Sequence, residues 1–294
     1  MPRRQLLLIA VGVTAVSFGG VLVRLADAPA FAVAFYRVAL AAVILTTIGV
    51  LRHRDEYRRL SAQQWRLAAL SGAALAVHFA TWISSLSFTT VAASVVLVET
   101  QPIWVGLFGR FVGERPTRRA VVGIAVAIAG TLVISGGAFD TGSRALWGDL
   151  LAIAGAIAAA IYVLLGRTLR RSMSLVTYTS VVYSVSAGLL AAVMLVTGTP
   201  FFGYPPETWL LFGLMTAGPQ LLGHTVFNYL LGSVRATVVA VALVLEPVMA
   251  TILAFVILGE RPGVVTVVGG AIVLVGVYLA IVAETDADLV APVE

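Results

Sequence analysis

The 294-residue chain alternates long apolar runs with short polar links. A helix needs about 20 apolar residues to cross about 30 Å of hydrocarbon. Ten runs approach or meet that length, near 6–24, 31–51, 66–86, 90–112, 117–136, 146–167, 174–197, 207–231, 235–258 and 263–283. The two links richest in arginine run from Arg52 to Arg66 and from Arg110 to Arg119. No link is long enough to hold a soluble domain. The pattern predicts an all-α integral membrane protein of ten transmembrane helices.

The pattern also repeats. Gly-Glu-Arg-Pro closes the fourth run at Gly113–Pro116 and the ninth at Gly259–Pro262. Glu114 and Glu260 are 146 positions apart, and so are His78 and His224. Val21–Leu25 (VLVRL) resembles Leu164–Leu169 (LLGRTL) at a similar offset. The chain therefore divides into two repeats, 1–141 with helices 1–5 and 142–294 with helices 6–10. Five is odd, so the second half enters the membrane from the opposite side, and the repeat is inverted around a central cavity. Inverted halves with a site near the midplane are the architecture of secondary transporters. At the N-terminus, Arg3-Arg4, the run from Leu6 to Val23 and Ala26-Asp27-Ala28 resemble a secretory signal. The run is long for such a signal and supplies the first helix of the first repeat, so it reads as a retained span.

Composition sharpens this. The chain is 60% hydrophobic and 11% charged, with a mean hydropathy of +1.02, whereas soluble domains carry about 25% charged residues. Cysteine is absent, which excludes disulfides and thiolate metal sites. All nineteen basic residues are arginine, which removes Schiff-base lysine chemistry and the P-loop lysine. The net charge of +5 lies in the links, where topology accounts for it better than a nucleic-acid partner does. Fifteen arginines, from Arg3 and Arg4 to Arg235, fall on the N-terminal side of the membrane, and only Arg24, Arg144 and Arg261 on the other. The positive-inside rule then predicts cytoplasmic termini in a multi-pass protein of the plasma or inner membrane.

On these residues the chain resembles the drug/metabolite transporter superfamily, in particular its EamA-type ten-helix exporters. The resemblance is carried by Glu246-Pro247 with Gly259-Glu260-Arg261-Pro262, by Gln101-Pro102 with Gly113-Glu114-Arg115-Pro116, by Gly148-Asp149-Leu150 and by Phe35-Tyr36-Arg37. It spans essentially the whole chain. Pro102 to Gly113 is one residue shorter than Pro247 to Gly259, so helix 4 is expected to wind or kink differently from helix 9. The resemblance implies export of a small organic metabolite such as an amino acid.

Ionisable residues inside a membrane are costly and normally face the bundle interior. Here they are Arg37, His78, Glu99, His224 and Glu246, with Gln101, Gln220 and Asn228 as polar companions. Arg37 and Glu99 lie at compatible depths, which allows either an ion pair or separate substrate contacts. Glu246 precedes Pro247, whose ring removes a helix hydrogen bond and frees a carbonyl beside the carboxylate; Pro102 and Pro247 are candidate hinges. Gln220, His224 and Asn228, spaced by four, form a polar stripe that lipid would not tolerate. Trp82, Trp104, Tyr162 and Tyr183 could line a cavity or anchor at the interface. Each Gly-Glu-Arg-Pro reads as a helix corner, in which glycine ends one helix and proline opens the next.

The leading expectation is a carrier for a zwitterion, working by alternating access between the lipid-embedded halves. The alternatives are a drug or quaternary-ammonium exporter, and a channel or non-transporting receptor. No H-E-x-x-H, G-x-S-x-G or Walker A motif suggests an enzyme. No cofactor is expected, and nothing completes a metal-ligand set. A monomer is compatible with the pattern.

Overall fold

The computed structural model describes residues 1–134, 142–258 and 263–290, and every regular element among them is helical. Nine helices among the described residues are long and apolar enough to cross a membrane. They are Arg3–Leu25, Ala30–Arg52, Ala62–Ser85, Ala93–Val112, Ser143–Arg170, Leu175–Thr197, Pro206–Leu230, Ala236–Leu253 and Val264–Glu284. Arg118–Ile134, whose last residue borders the undescribed 135–141, completes a set of ten. Numbered in chain order as spans 1 to 10, with Arg118–Ile134 as span 5, they match the ten expected runs to within a few residues at most ends.

Lipid offers the backbone no hydrogen-bond partner, so the apolar runs must satisfy themselves as helices. Local chemistry sets where they begin and end. Span 3 opens on a reciprocal cap: Ser61 Oγ accepts from Gln64 N at 3.2 Å and Gln64 Oε1 accepts from Ser61 N at 2.9 Å. Ser174 Oγ caps span 7 by accepting from Thr177 N, and Gly198, at φ 66°, ends it in the left-handed conformation. A short helix, Arg54–Arg59, joins spans 2 and 3 on the face that carries the N-terminus. Its Glu56 accepts from Ser174 N at 2.6 Å and from Thr177 Oγ1 at 2.7 Å, which pins this link to the start of span 7. Burial pushes the Glu56 carboxyl up, but hydrogen bonds from Ser174 and Thr177 and the nearby His53 outweigh it, leaving the pKa below the ordinary value.

Packing follows side-chain size. Spans 5 and 10 approach closely through Gly123, Ala127 and Gly130 on one and Gly269 and Gly276 on the other. A Cβ on Gly276 would lie 2.3 Å from Ala127 N, so only hydrogen fits there. Small residues permit such contact in membranes, where dispersion and polar contacts replace the hydrophobic effect between helices. Span 7 packs on spans 2 and 3, span 3 on span 6, and span 1 on span 8, where Gly12 meets the Phe227 ring.

Four spans are interrupted or irregular among the described residues; in span 1 a single turn at Phe18 separates Arg3–Ser17 from Gly19–Leu25. Span 4 is helical over Val91–Val98, turns at Glu99 and Thr100, and resumes at Gln101–Gly109. Span 9 breaks in the same way, from Ala236–Leu243 through Val244 and Leu245 to Glu246–Leu258. In both, the Xaa-Pro pair opens the second segment, where a proline lacks no needed hydrogen bond. The shorter spacing in span 4 coincides with one 3-10 turn, Arg110–Val112, before Gly113 at φ 78°. Span 8 winds as a π-helix over Thr216–His224 with Pro219 inside it.

Two outcomes follow. Gly276→Leu forces spans 5 and 10 apart at a site with no slack and should destabilise by about 1–3 kcal/mol, read as a lower unfolding temperature in detergent, while Gly20→Ala, with open space around it, should be neutral. Because the folded Glu56 pKa is lowered, its stabilising contribution is complete above the unfolded value of about 4.3 and is lost as pH falls through the folded pKa. Glu56→Gln should therefore lower the unfolding temperature at pH 7, with the difference from wild type vanishing in acid.

Candidate functional site

The irregular spans border a cavity that gathers all five ionisable candidates of the apolar runs and two of their three amide companions. Its walls include Arg37 of span 2, His78 and Trp82 of span 3, Glu99 and Gln101 of span 4, Tyr162 of span 6, His224 and Asn228 of span 8, and Glu246 of span 9. Gly19 and Val16 close it from span 1. The volume is about 60 Å³, enough for a few waters and well below the ~300 Å³ of a typical ligand pocket. Larger grooves, up to about 580 Å³, lie elsewhere; two are walled almost wholly by apolar residues, and a third, between spans 5 and 10, has Arg118 and Arg119 as its only charged wall residues.

Arg37 is 1% exposed. Its Nε donates to Gln220 Oε1 at 3.2 Å and its guanidinium lies 4.1 Å from the centre of the Phe79 ring. No ion pair joins Arg37 to Glu99 among the described residues. Arg37, Glu99 and Glu246 instead share the wall of the one cavity. Gln220 itself does not line the cavity; it stands behind Arg37 and orients it.

The histidines come together from spans 3 and 8, with ring centres 6.3 Å apart. His78 Nδ1 lies 3.0 Å from Gly155 O. A carbonyl only accepts, so Nδ1 carries the hydrogen and the neutral ring keeps Nε2 as an acceptor. The His78 ring lies parallel to Trp82, at 6.0 Å and 2°. Asn228 is held on both sides, donating to Tyr162 at 2.6 Å and to Tyr183 at 3.1 Å and accepting from Tyr162 at 2.8 Å.

Other groups have no partner. Trp82 Nε1, Glu99 Oε2, Gln101 Nε2 and Gln220 Nε2 are buried without a hydrogen bond. Each such group costs about 1–3 kcal/mol. Three of the four belong to residues of the cavity wall, and a ligand supplying acceptors for the Trp82 and Gln101 N–H groups and a donor for Glu99 would satisfy them.

Not every sequence candidate reaches the cavity. Trp104 donates through Nε1 to its own helix at Thr100 Oγ1, 3.2 Å away, and stacks on Phe108. Pro102 faces an outer apolar groove and Pro247 is buried beside the cavity; both mark helix breaks and neither is a wall residue. The first Gly-Glu-Arg-Pro is more than a corner. Gly113 does end a helix, and Glu114, 4% exposed, is the centre of a polar network. The second copy, Gly259–Pro262, lies outside the described residues. Sequence reasoning also missed Glu284, fully buried against Arg235; its only signal was an acid at the end of an apolar run.

Residues 3–136 and 146–282 each match the model of the EamA-like transporter family. The chain belongs to that family. An uncharacterized transporter of Archaeoglobus fulgidus is 28% identical over 270 residues, covering 90% of this chain and 91% of that one. The uncharacterized transporter YyaM of Bacillus subtilis is 25% identical over 256 residues, covering 84% and 83%. A crystal structure 18% identical in sequence superposes with a TM-score of 0.81 over 98% of this chain and 100% of its own, which shows a shared fold. This EamA-like transporter is therefore a multi-span membrane protein.

Gln220→Leu removes the hydrogen-bond partner of Arg37 Nε and should destabilise by about 1–3 kcal/mol, measured as a fall in unfolding temperature in detergent.

Proposed function

We propose that this EamA-like transporter is a carrier that exports a small zwitterionic metabolite, an amino acid or a close relative, by alternating access. The observation that carries this reading is the arrangement of opposite chemistries across one narrow cavity. Arg37 offers donors for a carboxylate, while Glu99, Glu246 and the acceptor nitrogen of His78 suit an ammonium group. The unpartnered Trp82, Gln101 and Glu99 atoms supply further donors and an acceptor. A phosphate ester favours several cationic donors, and Arg37 is the one arginine in the cavity wall.

Alternating access is supported by the architecture. The family match occurs twice, each half contributes five spans, and span 1 packs on span 8 much as span 3 packs on span 6. Halves that enter the membrane from opposite sides give the two openings by exchanging conformations. The narrow cavity requires its walls to part, and the breaks before Gln101-Pro102 and Glu246-Pro247 are where they would bend. The excess of arginine on the N-terminal face supports a cytoplasmic position for it in a plasma or inner membrane, from which outward movement is export.

The test is a thermal-shift screen of purified protein against amino acids, quaternary ammonium compounds and phosphorylated metabolites, followed by counterflow in proteoliposomes with each hit. Stabilisation by amino acids with trans-acceleration is expected. Hits confined to quaternary ammonium compounds would shift the reading to a cation exporter, and binding without counterflow would leave a channel or receptor. With the amino acid that binds, Arg37→Gln should weaken binding by at least about thirtyfold, or about 2 kcal/mol. Glu246→Gln should cut counterflow while the protein still folds; wild-type rates in that variant would remove Glu246 from the mechanism.

A further inference from the structure

On the N-terminal face, beyond the cavity, four spans converge on one carboxylate. Glu114 Oε1 accepts from Arg167 Nε at 2.9 Å, and Arg171 Nη2 stands 4.0 Å from the same oxygen. Glu114 Oε2 accepts from Ala236 N at 2.9 Å, the first residue of span 9. Arg167 Nη1 also donates to Leu231 O at 2.9 Å. Glu114 therefore joins the end of span 4 to the end of span 6 and the start of span 9, and reaches the end of span 8 through Arg167. Glu284 of span 10 makes a parallel tie, 2.6 Å from Arg235 Nη1 and accepting from Thr117 N at 2.8 Å.

Position turns this network into more than a brace. Val163, Leu231 and Val239 are cavity wall residues. Arg167 follows Val163 by four residues, Ala236 precedes Val239 by three, and Leu231 takes part in both. The network thus lies about one helical turn, ~5.4 Å, beneath the cavity floor. It is also one-sided. The four arginine–carboxylate pairs found among the described residues all lie on the N-terminal face.

The chemistry suits something that opens. Desolvation offsets much of the attraction in a buried ion pair, so such a pair is a poor choice for stability alone. By the same balance it can separate at modest cost when both partners become hydrated. Apolar contacts across the same mouth would lose their full burial energy on opening.

We propose that Glu114, clamped by Arg167 and the Ala236 amide, is the residue that closes the N-terminal mouth of the cavity, and that its release opens the cavity to that face. This rests on the carrier reading above. The chain has no cysteine, so Ala159→Cys, in the cavity wall, gives a single thiol. A membrane-impermeant maleimide is applied to each face of oriented vesicles, and the two labelling rates are compared with Glu114 intact and in the Glu114→Gln background. Glu114→Gln should raise labelling from the N-terminal face about tenfold relative to the opposite face, and Arg167→Gln, which removes the partner instead, should do the same. An unchanged ratio, or an equal rise from both faces through general loosening, overturns the proposal. If Glu114→Gln does not fold, Arg167→Gln decides by the same ratio. Counterflow is scored separately: its absence for every bound ligand sinks the carrier reading, whereas the labelling ratio alone sinks or supports the latch.

Discussion

Hydrocarbon supplies no hydrogen-bond partner, and the rest of this structure follows from that constraint. Backbone groups meet it by forming helices. Side chains meet it in two ways, and the difference separates structure from site. Asn228, Tyr162 and Tyr183 satisfy one another, and Gln220 satisfies one nitrogen of Arg37. Glu99, Gln101 and Trp82 keep unpartnered atoms beside the cavity. These unrelieved groups are the ones on which the proposed substrate contacts rest.

The sequence made the fold and most of the cavity readable for the same reason. Apolar runs of sufficient length have one solution in a bilayer, and polar residues inside them are so few that their interior placement follows. Arg37, His78, Glu99, His224 and Glu246 were identifiable on that ground and all line one cavity. The partner of Arg37 was not readable, because depth along a helix does not say which helices are neighbours. The spacing by four placed Gln220, His224 and Asn228 on one stripe of span 8, but Gln220 is taken up behind Arg37 while His224 and Asn228 stand in the wall. Glu114 was hidden differently: glycine and proline explain the corner so completely that the direction of the acid between them drew no notice.

The irregular segments lie where the chemistry lies. Spans 4 and 9 break beside Glu99 and Glu246, and the π-helical stretch of span 8 carries Gln220 and His224. Such π segments are rare and frequent at functional sites. Spans 5 and 10, by contrast, are regular, locked by glycine contacts, and contribute nothing to the cavity wall. Irregular winding and cavity-wall polar groups thus coincide in spans 4, 8 and 9, while the regular spans 2, 3 and 6 supply Arg37, His78, Trp82 and Tyr162.

The one-sided distribution of ion pairs has a consequence for how the molecule responds to its medium. Asp55–Arg58 lies in water, with side chains 80% and 65% exposed, and counter-ions screen such a pair over about 8 Å at physiological salt. The Glu114 and Glu284 side chains, at 5% and 0%, are shielded while they remain paired. Ionic strength therefore acts on these acids only after they part, by stabilising the separated charges. Were Glu114 to part from Arg167 as proposed, salt on the N-terminal side would favour the open shape without binding at a site of its own.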